Sequence, residues 1–194
     1  MATAAELSPF TAAAAAIEAR LRHFFPASQF AFAFVPEEAP AETWAELTQR
    51  APFLGLSWRG MAPDANSGKR IAGECQWRLT LITRHSRIAE RYLGDATSPA
   101  LLTMVWIAAI ALNGHALKSA AGEPLGTVMV GSAGNAMAAN WGKGLVAIAT
   151  LEFTTPLPQP GDAYAGVTPE FLEMGVTWDF PETAAVTDSY ERPA

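Results

Sequence analysis

With 194 residues, half of them hydrophobic, the chain is long enough for one domain with a sizeable core plus an appendage. Its net charge of −6 and pI near 5.0 give no ground for a nucleic-acid or anionic-membrane partner. The single cysteine, Cys75, excludes an intramolecular disulfide and reads as a buried small hydrophobe in a reducing compartment.

The predicted elements follow in chain order. Ser8-Pro9 reads as a helix cap with proline at the first helical position. The helix runs to about Phe24, with Phe10, Ile17, Leu21 and Phe24 as its apolar stripe, and Pro26 ends it. Phe30 to Val35 reads as a strand, and Glu42 to Arg50 as one or two helical turns with Trp44 and Leu47 three apart. Phe53 to Trp58 is a second strand, and Gly60 to Gly73 reads as a loop. Glu74 to Thr83 is the clearest strand. Cys75, Trp77, Leu79 and Leu81 share one face, and Gln76, Arg78, Thr80 and Ile82 the other. That pattern predicts a sheet with one face on the core and one partly wet.

Residues 84–97 read as a basic connector. A helix over Pro99–Leu112, closed by Asn113-Gly114, is apolar almost all round, so it is either buried or faces another subunit. Leu125 to Val130 reads as a strand, Gly131 to Asn140 as a flexible stretch, and Gly144 to Thr154 as a central closing strand. The expected fold is α+β: a mixed, mainly antiparallel sheet covered by two main helices, with an extended Pro-rich acidic C-terminal arm. The expected division is a domain over 1–155 and an arm over 156–194.

Charge is unevenly distributed. Residues 1–49 carry six acids and two bases, net −4; residues 50–91 carry three acids and eight bases, net +5. Residues 92–155 carry three acids and two bases, net −1, and residues 156–194 carry seven acids and one base, net −6. The last segment also holds six of the 14 prolines, yet includes Phe171, Trp178 and Phe180. Such a segment is too aromatic for an ordinary solvated tail. It reads as an arm docking on a surface, either its own domain's or a neighbouring copy's. The basic stretch Arg84, His85, Arg87, Arg91 has three readings: a solvated connector, a contact for the acidic arm or an acidic partner, or a contact to DNA phosphates. Trp58, Arg59, Arg84, Arg87, Arg91, Phe171, Trp178 and Phe180 are the candidate interface residues.

Catalytic signatures fail on inspection. His23, His85 and His115 have no second ligand at helical spacing, so no zinc motif is read and no metal or cofactor is expected. Val130 stands where a nucleophile elbow requires glycine before Ser132. Gly142-Lys143-Gly144 lacks the Ser or Thr of a phosphate loop. Glu37-Glu38 and Glu42-Glu46 read as a solvated face. No base is in evidence for Cys75 as a nucleophile. The expectation is a non-enzyme. The first ten residues lack a basic signal-peptide start, and the longest apolar run is shorter than a bilayer span. The expected place is therefore the cytoplasm, or a particle assembled there.

Four segments carry a family likeness. They are the helix Ile17-Glu18-Ala19-Arg20-Leu21, the strand from Trp77 to Arg84, the helix from Leu101-Leu102 to Leu112-Asn113-Gly114, and the closing strand Val146 to Phe153. In their order, with a polar glycine-rich stretch before the last, the chain resembles the tail-terminator-like minor tail proteins of Mu-like phages, related in fold to lambda-type tail terminators. The resemblance spans about Leu7 to Phe153; the Pro-rich extension after Thr155 is longer than the family pattern. It implies a virion protein of the tail, assembled in the host cytoplasm as a ring, typically a hexamer. Its implied partners are copies of itself, the tail tube protein and a head-completion or connector protein. Membranes are not implied, and DNA would only pass through the lumen. The family offers no catalytic residues to carry over. The alternatives are a head–tail adaptor or other minor tail protein whose basic stretch faces DNA, and a small enzyme with a scattered site.

Overall fold

Proline at the first helical turn opens α1 (Pro9–Phe24), as the sequence suggests. Its inward stripe is Ala13, Ile17 and Leu21, but Phe24 turns outward and Phe25, just past the helix end, is buried in its place. Phe24 instead lies under the Arg20 guanidinium, 4.8 Å from the ring centroid. The computed structural model describes residues 9–38, 40–65, 72–96, 99–136 and 145–157.

The elements that follow are β1 (Ala31–Phe34), α2 (Ala41–Gln49), β2 (Phe53–Pro63), β3 (Gly73–Arg84), α3 (Ile88–Leu93), α4 (Leu101–Leu112), β4 (Ala116–Lys118), β5 (Pro124–Thr127), β6 (Met129–Asn135) and β7 (Val146–Pro156). Five strands form one sheet in the order β1-β2-β3-β7-β6, with β4 and β5 as a separate two-stranded ribbon. Only β1 and β2 run parallel; every other pair in the main sheet is antiparallel. The fold is thus α+β with a mixed, mainly antiparallel sheet. The long α4 and α1 cover one face, and the shorter α2 lies against part of the other.

Side-chain alternation decides which face each residue meets. Cys75, Trp77, Leu79 and Leu81 of β3 and Ala147, Ala149, Leu151 and Phe153 of β7 enter the main core beneath α1 and α4. Fully burying each large side chain there contributes roughly 1.5–3 kcal/mol. On the opposite face Phe53, Ile82 and Ile148 pack with Val35 and with Trp44 and Leu47 of α2. The rest of that face is polar: Ser57, Arg59, Arg78, Thr80, Thr150 and Glu152 follow the same alternation.

Several expectations change. The connector over 84–97 contains α3, and Arg91 is buried within it. The strand expected over Leu125–Val130 is two strands, parted at the buried Val128. Gly131 to Asn135, read as flexible, belong to β6: Ser132 to Asn135 pair with β7, and Gly131 sits at a bulge between Val130 and Ser132. β2 continues to Pro63, past the point where glycine and proline suggested a loop, because β3 supplies its hydrogen bonds. The expected arm over 156–194 falls outside the described residues from 158 onward, and so does Ser8, the expected cap of the first helix.

Candidate interaction surfaces

Among the described residues, α4 carries three exposed large apolar side chains. Leu101, Met104, Ala108, Ala111 and Leu112 face the core. Leu102, Trp106 and Ile110, spaced by four, share the outer face at 56%, 66% and 56% exposure. α3, which packs against α4, adds Ile88 and Leu93, at 69% and 70%. Isolated exposed leucines are ordinary; large apolar side chains repeated along one helix face are less so.

A second apolar surface is built from different elements. Phe10, Ala14, Phe34, Trp58 and Trp77 line a shallow groove between the start of α1 and strands β1–β3. Phe10 and Trp58 are in ring contact at 5.8 Å, and Phe34 meets Trp77 edge-on at 6.4 Å. Phe34 and Trp58 are about half exposed. The Trp58 indole N–H donates to Cys75 Sγ at 3.2 Å, which fixes the ring. Burial pushes the Cys75 thiol up from its ordinary value, with the Trp58 contact a smaller opposing effect. That thiol is structural, not nucleophilic.

The polar half of the sheet holds a closed square of charge. Arg78 donates to Glu37 Oε1 at 2.7 Å and to Glu152 Oε1 at 2.9 Å. Arg59 donates to the same two oxygens, each at 3.0 Å. Glu37, read from sequence as part of a solvated face, therefore joins the loop after β1 to β2 and β3. Each pair keeps roughly a third of its surface in water, so each is worth about 0–1 kcal/mol, and the square matters more for locking the loop than for stability. Ser57, Thr80 and Thr150 line the neighbouring cavity with Glu37, Glu38 and Trp44.

The basic stretch does not form one cationic patch. Arg91 is turned inward: its Nε donates to His85 O at 2.7 Å and its Nη2 to Ser86 O at 3.1 Å, while Thr83 Oγ1 donates to Arg91 O at 2.9 Å. It closes the turn after β3, so its expected place in a solvated connector is corrected. Arg87 is exposed and pairs with Glu90 at 2.7 Å; this contact raises its already high pKa further. Arg84 is exposed at the end of β3. Trp58 and Arg59 share one region of β2, distant in sequence from the 84–91 group, and Phe171, Trp178 and Phe180 lie outside the described residues.

Sequence reasoning named α4 as a possible subunit face but not Leu102, Trp106 and Ile110. A helix apolar on every side gives no sign of which side the sheet takes.

No known protein family and no curated protein matches the sequence. Among solved structures, a chain of the virion of a native gene transfer agent particle is similar, with a TM-score of 0.48 and 14% identity. The match covers 78% of this chain and 98% of that one. Among the described residues no helix is long and apolar enough to cross a membrane.

Proposed function

We propose that the chain is a structural protein of a phage-like virion, and within it a ring-forming tail terminator that caps the tail tube and meets the head-completion proteins. The observation that carries this reading is the bare apolar face of Leu102, Trp106 and Ile110 on α4. A closed ring needs two different surfaces per subunit that meet head to tail. The α4 face, over β3, β7 and β6, and the Phe10–Phe34–Trp58 groove, beside β1 and β2, share no residue. They supply such a pair. The net +5 segment and its acidic neighbours in sequence add charge that favours register and association rate.

The adaptor reading, with the basic stretch on DNA, draws less support. Arg59, Arg78 and Arg87 are engaged by carboxylates and Arg91 by carbonyls.

Sedimentation and negative-stain microscopy of the purified full chain test the proposal. The expected result is a ring, six subunits by family analogy, that Trp106→Glu converts to a folded monomer. A wild-type chain that stays monomeric at high concentration, or a ring indifferent to Trp106→Glu and Leu102→Glu, rejects it.

A further inference from the structure

The main sheet ends on two open edges. Its order is β1-β2-β3-β7-β6, and among the described residues no further strand pairs with β1 or with β6. Both edge strands lack the residues that usually blunt an edge: Ala31–Phe34 and Met129–Asn135 contain no proline and no charged side chain.

The ladders fix which backbone groups point outward. In β1, the Ala31 N–H donates to Pro52 O at 3.0 Å and the Val35 N–H to Leu56 O at 2.9 Å, so the odd positions face β2. Phe32 and Phe34 therefore turn their N–H and C=O away from the sheet. In β6, the Ala136 N–H donates to Ile148 O at 2.9 Å. Hydrogen-bonded and non-bonded pairs alternate in an antiparallel ladder, which leaves Ala133 and Asn135 pointing outward. Groups already engaged bound each stretch. Phe30 O accepts from Arg22 at 3.0 Å, and the Val130 N–H donates to Asn113 Oδ1 at 3.2 Å, beyond the bulge. The open stretches thus match in spacing, each with outward residues two positions apart.

Their directions match too. β1 and β2 are parallel and every later step is antiparallel, so β6 runs against β1. A second copy set alongside in the same orientation brings its β1 antiparallel to β6. The apolar surfaces described above adjoin these edges: α4 contacts β6, and Phe34 of β1 lines the aromatic groove.

We propose that β6 of one copy takes up β1 of the next as an added strand, so that the sheet continues from subunit to subunit. The occupant is a second copy of this chain, and the inference rests on the ring reading. Because the two edges differ, the contact is head to tail. Backbone hydrogen bonds set the register, while the apolar contact between α4 and the groove supplies buried area.

The test is amide-resolved hydrogen exchange of the full chain, dilute and at assembling concentration. The amides of Phe32, Phe34, Ala133 and Asn135 should slow by about tenfold or more on assembly. Ala133→Pro removes an outward donor without touching a β7 hydrogen bond. It should weaken association by about tenfold or more, with the thermal midpoint of the dilute chain near wild type. Ala133→Val should assemble like wild type. A wild-type chain that never self-associates rejects the ring reading and this inference with it. A ring in which the four amides exchange at the dilute rate, or which Ala133→Pro leaves intact, rejects the strand pairing alone. Protection already present in the dilute monomer means that the edge is covered within one chain, and protection of β6 without β1 means another occupant; each rejects the pairing.

Discussion

The Trp77 indole N–H donates to Thr155 Oγ1 at 3.0 Å, with both residues almost wholly buried. The contact joins β3 to β7 two residues beyond the Trp77–Phe153 pair, near the end of both strands. Thr155→Val keeps the volume but removes the acceptor. A buried donor without a partner costs about 1–3 kcal/mol. Urea unfolding should show that loss, and Thr155→Ser should recover most of it.

Arg91 gives a prediction that separates a structural arginine from an interface one. Arg91→Met keeps the aliphatic bulk but strips the donors from His85 O and Ser86 O. Hydrogen bonds from a charged group contribute about 1.5–3 kcal/mol each way of counting. The thermal midpoint of the isolated chain should fall by several degrees. Exposed Arg87→Met, by contrast, should leave it nearly unchanged.

The clearest strands were legible because their periods were clean. β3 places Cys75, Trp77, Leu79 and Leu81 on one side without exception, and β7 repeats the pattern, so the sheet's centre and its buried face could be read directly. Asn113-Gly114 marked the end of α4, and Gly114 indeed takes positive φ, at 72°. α3 was hidden because six residues containing Arg91 and Glu90 look like solvated linker; only the fold shows that Arg91 points inward. β6 was hidden because Gly131, Ser132 and Gly134 have poor strand propensity; Ser132 and Gly134 are held in the ladder by β7. The charge square joins Glu37 to Glu152, a separation that no local spacing rule can see.

Cys75 should be chemically silent in the native state. Its thiol is buried and its pKa is raised by that burial. Ellman's reagent at mildly alkaline pH should report almost no free thiol until denaturant is added, and then one per chain. Rapid native labelling would show that the Trp58 side of the sheet opens readily.

His115 sets the sign of one pH effect. Desolvation, with a smaller contribution from the Arg20 charge, lowers its pKa below the ordinary 6.5. The folded state therefore favours the neutral ring, and the unfolded chain binds the proton more readily. The stability His115 contributes is present above about 6.5 and declines as pH falls from there toward the folded value. Thermal midpoints measured from neutral to mildly acidic pH should fall more gently for His115→Gln than for wild type. Equal slopes would remove His115 from the acid response.

The uncovered side of α4 also has a consequence for the single chain in water. A chain bearing Leu102, Trp106 and Ile110 in water is sticky toward any greasy surface it meets, not only the partner face proposed above. With the proposed ring as the end state, newly made copies face a race between productive pairing and clumping. Its outcome turns on how many copies are made together, which gives dosage a direct physical grip on yield.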